Sequence, residues 1–245
     1  MALPALVLVH GGGLAADCWD LTVAEINRLA PDLMVLALDM PGRRTKPADL
    51  REITIADYVD SLVADIESAG VDELIIVGHS MAGALVPTVV TRLGAPRVRE
   101  MILAAAFIPP EGRTLADMLE GPAARLARRY AKSRAIGRTP WWLVRFAFLN
   151  GVPRAGRQFM SGKVYVESTR ILGEKVSRYG MPDEIPRTWI FASRDRAISR
   201  KTQQRCMEAL GGVQTLISLE TCHCMMVSEP RRLAEVLVER CRLYV

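Results

Sequence analysis

Short apolar or β-branched runs recur along the chain, at residues 5–9, 34–38, 74–77, 101–105, 188–192 and 213–219, with amphipathic helical stretches between them. Runs that stay apolar instead of alternating with polar residues mark strands covered on both faces. Strands alternating with helices predict a mostly parallel sheet, so the fold class is α/β. Residues 55–69 set apolar side chains at 55, 59, 62, 63 and 66 on one helical face, and Gly70 ends that helix. A second helix is predicted over 229–241, where Pro230 occupies a first-turn position at which its missing N–H is harmless.

The rhythm breaks between residues 107 and 186, where 80 residues carry helical stretches and no strand pattern. The chain therefore reads as one large domain in two pieces, 1–106 and 187–245, with 107–186 inserted. There is no internal repeat and no linker long enough to divide it. Half the residues are apolar and 24% are charged, which excludes disordered and collagen-like classes. The longest apolar run, 101–108, falls far short of the roughly 20 residues that cross a bilayer, so no transmembrane helix is expected. The first run passes straight into His10-Gly11-Gly12-Gly13 and reads as a strand, not a signal peptide. Five cysteines, an odd number in a chain too large to need staples, argue for reduced thiols in the cytoplasm.

The net charge of +5 hides an asymmetry. Residues 113–178 hold 14 Lys and Arg against 4 Asp and Glu, a net of +10 that leaves −5 for the remainder. Trp141, Trp142, Phe146 and Phe148 are interleaved with these cations. Such a segment is a solvated face, or it meets an anionic substrate, an acidic carrier or a membrane surface. Nucleic acid is not expected, because no recognised binding motif accompanies the charge.

The candidate chemistry lies at 74–83, an apolar strand running into Gly78-His79-Ser80-Met81-Ala82-Gly83 and then a helical run at 84–93. A serine at a strand-to-helix elbow takes a strained backbone position, and the residues two before and two after must be nearly free of side chain. Gly78 and Ala82 meet that demand. The turn lifts the Ser80 hydroxyl above the sheet and aims the free N–H groups of a helix start at the reacting centre.

On these residues the chain resembles the α/β-hydrolase fold family: a mostly parallel sheet with helices on both faces and, in capped members, a helical lid after the elbow. The resemblance extends to Trp19 after the glycine loop and to Asp39-Met40-Pro41-Gly42 after the second strand. The family needs serine, acid and histidine in that chain order. Of three histidines, His10 belongs to the glycine loop and His79 to the elbow, leaving His223 as base. Asp195, after the strand at 188–192, matches the family's acid turn, and residues 104–107 offer no carboxylate at the alternative position. By the same resemblance, Gly12 and Met81 supply the oxyanion N–H groups, and 107–186 becomes the lid.

The resemblance implies a serine hydrolase that cleaves a carboxylic ester through an acyl-enzyme, with no cofactor and a small ester substrate, lipophilic or anionic. The histidine segment is similar to the branch of plant methyl esterases and hydroxynitrile lyases. The lyases carry threonine and lysine where this chain has Gly11 and Cys224. Carbon–carbon lyase, thioesterase, acyltransferase and non-catalytic receptor remain alternatives at this point. Cys222-His223-Cys224 does not make a metal site, since three consecutive residues cannot readily close a tetrahedron and no second Cys/His cluster exists. Gly11 to Gly13 lack the following residues of a phosphate-binding loop. Substrate identity and oligomeric state stay open.

Overall fold

A computed structural model describes residues 3–119 and 121–245, except the side chains of 121–124. Its strands are β1 (Ala5–Val9), β2 (Val35–Leu38), β3 (Leu74–His79), β4 (Val98–Ala104), β5 (Ile136–Arg138), β6 (Val166–Ser168), β7 (Arg187–Ala192) and β8 (Thr215–Leu219). Six of them form one sheet in the order β2-β1-β3-β4-β7-β8, with every neighbouring pair parallel. All six predicted apolar runs are strands of this sheet, shifted by at most three residues at an end.

Side chains alternate across a strand, so the inner strands feed two cores, whereas edge strand β8 leaves Leu216 and Ser218 exposed. Leu6, Leu8, Ile75, Val77, Ile102 and Ile190 pack with Trp19, with Ile26 of α1 (Asp20–Leu29) and with Leu233 and Leu237 of α9 (Pro230–Arg242). Val7, Val9, Ile76, Leu103 and Trp189 pack with Tyr58 and Leu62 of α2 (Ile55–Ser68) and with Val86 and Val89 of α3 (Val86–Leu93). Both faces being covered is why these runs carry no polar alternation. Helix α2 starts at a reciprocal Thr54–Asp57 capping box and is followed by Gly70 at φ +64°.

Between β4 and β7 the chain forms α4 (Gly121–Ser133), β5, α5 (Trp141–Leu143) with a π-helical turn Val144–Phe148, α6 (Arg154–Met160) and β6. The antiparallel β5–β6 pair departs from the expectation of helices alone. Each strand is three residues long and β5 is exposed throughout, so neither leaves an apolar pattern to read. Remaining helices are α7 (Arg200–Ala209) and α8 (Met225–Ser228). The basic insertion meets the acidic remainder directly: Arg134 and Arg170 pair with Glu52, and Lys163 with Asp17 and Asp20.

Candidate active site

From β1 the order steps to β2 on one side and β3 on the other. That makes the carboxyl ends of β1 and β3 a topological switch point, where open α/β sheets bind ligands. The glycine loop leaves β1 there and the elbow leaves β3. At the elbow Ser80 has φ +53°, a left-handed conformation that costs a residue with a side chain about 1–3 kcal/mol and persists only when its surroundings enforce it. The enforcement is visible on both flanks. A Cβ on Gly78 would lie 2.9 Å from Val86 Cγ2, and one on Gly83 would lie 2.9 Å from the Ala106 Cβ. A 3₁₀ turn, Ser80–Ala84, precedes α3, and Phe107 N–H donates to the Ser80 carbonyl at 2.8 Å.

The structure brings Ser80, His223 and Asp195 together although they are 115 and 28 residues apart in the chain. Ser80 Oγ lies 2.9 Å from His223 Nε2, and His223 Nδ1–H donates to Asp195 Oδ2 at 2.7 Å. The other Asp195 oxygen accepts the N–H groups of Ala197 and Ile198 at 2.7 and 2.8 Å. Its two neighbouring arginines are engaged elsewhere, Arg194 with Glu220 and Arg196 over the Phe146 ring. The His223 and Asp195 side chains are 4% and 0% exposed, so their hydrogen bonds operate away from bulk water.

The other two histidines have fixed places. His10 accepts Met40 N–H on Nε2 and donates from Nδ1 to the Gly11 carbonyl, and burial pushes it down to about 3, leaving it neutral. His79 donates from Nε2 to the His223 carbonyl at 3.0 Å, and burial lowers it well below the usual histidine value. His79 therefore braces the segment that carries His223. Cys222 and Cys224 are buried beside it, with thiols pushed up by burial.

Gly12 sits against Met81: a Cβ there would lie 3.0 Å from Met81 Sδ. The first N–H groups of a helical turn have no intrahelical acceptor, and Met81 is the second residue of such a turn. At Gly11 a Cβ would lie 2.8 Å from Ser80 Cβ. The cavity over Ser80 holds about 30 Å³ and is walled by Leu14, Val144, Phe148, Val164, His223 and the glycine loop. Val144, Phe148 and Val164 come from the insertion.

One group escaped sequence reasoning. Glu167 of β6 accepts Gly13 N–H and Tyr58 OH and pairs with Arg43, whose side chain has no exposure. These partners are 109 to 154 residues from Glu167. The only local signal is a charged residue in the Pro41-Gly42-Arg43 turn.

A sequence model of the alpha/beta hydrolase family matches residues 6–236. The chain is 25% identical over 251 residues to a pyrethroid hydrolase of Sphingobium wenxiniae, covering 98% of this chain and 88% of that one. It is 24% identical to the probable esterase PIR7A of Oryza sativa subsp. japonica, covering 95% and 94%. The match to a carbendazim hydrolyzing esterase of Nocardioides sp. is 27% over 113 residues and spans 46% of each chain. Among solved structures, an extracellular α/β-hydrolase from a Paenibacillus species superposes with a TM-score of 0.85 at 23% identity, covering 96% of this chain and 98% of that one.

Proposed function

Because the chain belongs to the alpha/beta hydrolase family, we propose that it is a serine ester hydrolase working through an acyl-enzyme on the Ser80–His223–Asp195 relay. The observation that carries the reading is the unbroken line of hydrogen bonds from Ser80 Oγ to Asp195, built on a serine held at φ +53°. The esterase names of its full-length relatives support the reaction class.

Ser80 Oγ attacks the ester carbonyl as its proton passes to His223 Nε2, and Asp195 holds the ring and stabilises its positive form. The N–H groups of Gly12 and Met81 receive the oxygen that becomes negative, each worth about 2.7–4 kcal/mol in the barrier. His223 then hands the proton to the departing alkoxide, and a water activated by the same nitrogen releases the acid.

Residues 107–186 act as the lid over a core of 1–106 and 187–245, and their apolar wall selects the substrate. A cavity of about 30 Å³ against the roughly 300 Å³ of a drug-sized pocket favours a short apolar acyl group. Five free, buried thiols favour a reducing compartment, the cytoplasm.

The test is a fluorophosphonate probe combined with p-nitrophenyl esters of graded chain length. Labelling at Ser80 and a maximum at two to four acyl carbons are expected. An unlabelled Ser80 overturns the reading.

A further inference from the structure

The glycine loop is floppy by composition and firmly tied in fact. Glycine gives up more conformational freedom on folding than any other residue, so three in a row present an N–H in one direction only if something outside the loop fixes them. Gly13 stands at φ +67°. Its N–H donates to Glu167 Oε2 at 3.0 Å, and its carbonyl accepts Tyr165 N–H at 2.7 Å. The peptides on both sides of Gly13 are thus held by one stretch of the insertion.

The core closes the grip from the other side. Arg43 Nε donates to the Leu14 carbonyl at 2.7 Å while its Nη2 pairs with Glu167 Oε2. Glu167 Oε1 accepts Tyr58 OH at 2.8 Å and Ser168 N–H at 2.9 Å. A buried guanidinium requires an anion with good geometry, and here each member of the pair holds a different atom of the same loop. Every strong acceptor position of Glu167 is used, and none of its contacts points to a substrate.

We infer that Glu167, with Arg43, is a positioning residue for the oxyanion hole: the insertion fixes the Gly11–Gly13 main chain and so aims the Gly12 N–H. The inference rests on the ester-hydrolase reading above. Donors aimed in advance act on the charge that appears in the transition state, so loosening them lowers kcat and leaves KM nearly unchanged. A carboxylate that merely anchored the insertion would alter thermal stability or KM instead.

The variants are Glu167→Gln, which keeps a neutral acceptor for Gly13, and Glu167→Ala, which removes it. Expected kcat losses are about tenfold and about 10²-fold, on the scale of lost or misaimed oxyanion donors. KM should stay within about threefold, and affinity for an arylboronic acid, whose tetrahedral adduct on Ser80 uses the same N–H groups, should fall in step with kcat. The product alcohol, which carries no charge for these N–H groups to meet, should bind as before. Unchanged kcat with a lowered Tm, or a raised KM alone, overturns the proposal.

Glu167→Ala leaves Arg43 buried without its anion and can fail to fold, so a second measurement uses the intact protein. Amide exchange at Gly13 should be slow in the unaltered chain and in Ser80→Ala, and faster by about tenfold or more in Glu167→Gln. Fast exchange at Gly13 in the unaltered chain overturns the clamp. If no ester is hydrolysed yet Gly13 is protected through Glu167, the esterase reading fails and the clamp stands.

Discussion

In the sheet, Leu6, Ile75 and Ile102 have no exposure at all, whereas in the insertion Trp142 keeps 68% and Phe146 59% of its accessible surface. The first region is held by apolar burial on two faces. The second buries Leu115, Leu149, Val152, Met160 and Ile171 in the same cores and adds directional contacts at its base, Lys163 to Asp17 and Asp20, Arg134 and Arg170 to Glu52, and Glu167 to the glycine loop. Non-directional burial tolerates change in a partner's identity but fixes the strands rigidly. Directional contacts hold orientation and give way one at a time. Ser80, Asp195 and His223 leave the ends of sheet strands or follow them closely, and the insertion contributes cavity walls. That division predicts catalysis failing from the sheet side and selectivity changing from the cavity walls, with Glu167 the one place where the insertion reaches catalysis through the glycine loop.

The sharpest way to break this contrast is to disable each region in turn. Ser80→Ala and Asp195→Asn should each lower kcat by about 10⁴-fold or more with the fold intact by circular dichroism. Phe148→Ala, in the insertion wall, should shift KM and the preferred acyl length with kcat changed by no more than about tenfold. Equal kcat losses for Phe148→Ala and Asp195→Asn would erase the distinction.

Stability should divide the same way. Leu8→Ala removes a side chain with no exposure from between the sheet and two helices, and is expected to cost about 2–5 kcal/mol in denaturant unfolding. Phe146→Ala, on the exposed face of the insertion, should change the same measurement by less than about 0.5 kcal/mol.

Acid sensitivity is a third test, because all three histidines lie outside 107–186. His10 is held neutral with its value pushed down to about 3, and His79 is lowered too, both by burial. The unfolded chain protonates each near 6.5, so below that pH it binds more protons than the native state and stability falls with pH. Between pH 6.5 and 5 each contributes a slope of up to about 1.4 kcal/mol per pH unit. A flat profile over that window would contradict the buried neutral state. The smallest effect belongs to the exposed ion pairs: Glu52→Gln should cost less than about 1 kcal/mol, with the loss vanishing in high salt. Increased proteolytic nicking confined to 107–186 would show which region it loosened.

What was legible in the sequence follows the same line. The β1, β3 and β7 runs announce themselves because burial on both faces favours apolar residues at consecutive positions. Ser80, Asp195 and His223 stand out as candidates because elbow, acid turn and final strand have a local spacing like the family's, and the structure places the three side chains within hydrogen-bond reach. The β5–β6 pair was invisible, since three exposed residues need no pattern. Glu167, Arg43 and Tyr58 were missed for a different reason: each is ordinary in its own neighbourhood, and only folding puts the three around Gly13.

The crowding at Gly11 bears on what this chain can become. Any side chain there starts with a Cβ 2.8 Å from that of Ser80 and 3.0 Å from His79 Nδ1. A β-carbon at that distance requires the Ser80 side chain or the glycine loop to shift. Substituting Gly11 is thereby a change to the surroundings of the nucleophile as well as to the loop. The first residue after His10 therefore ties the shape of the glycine loop to the place of the Ser80 side chain.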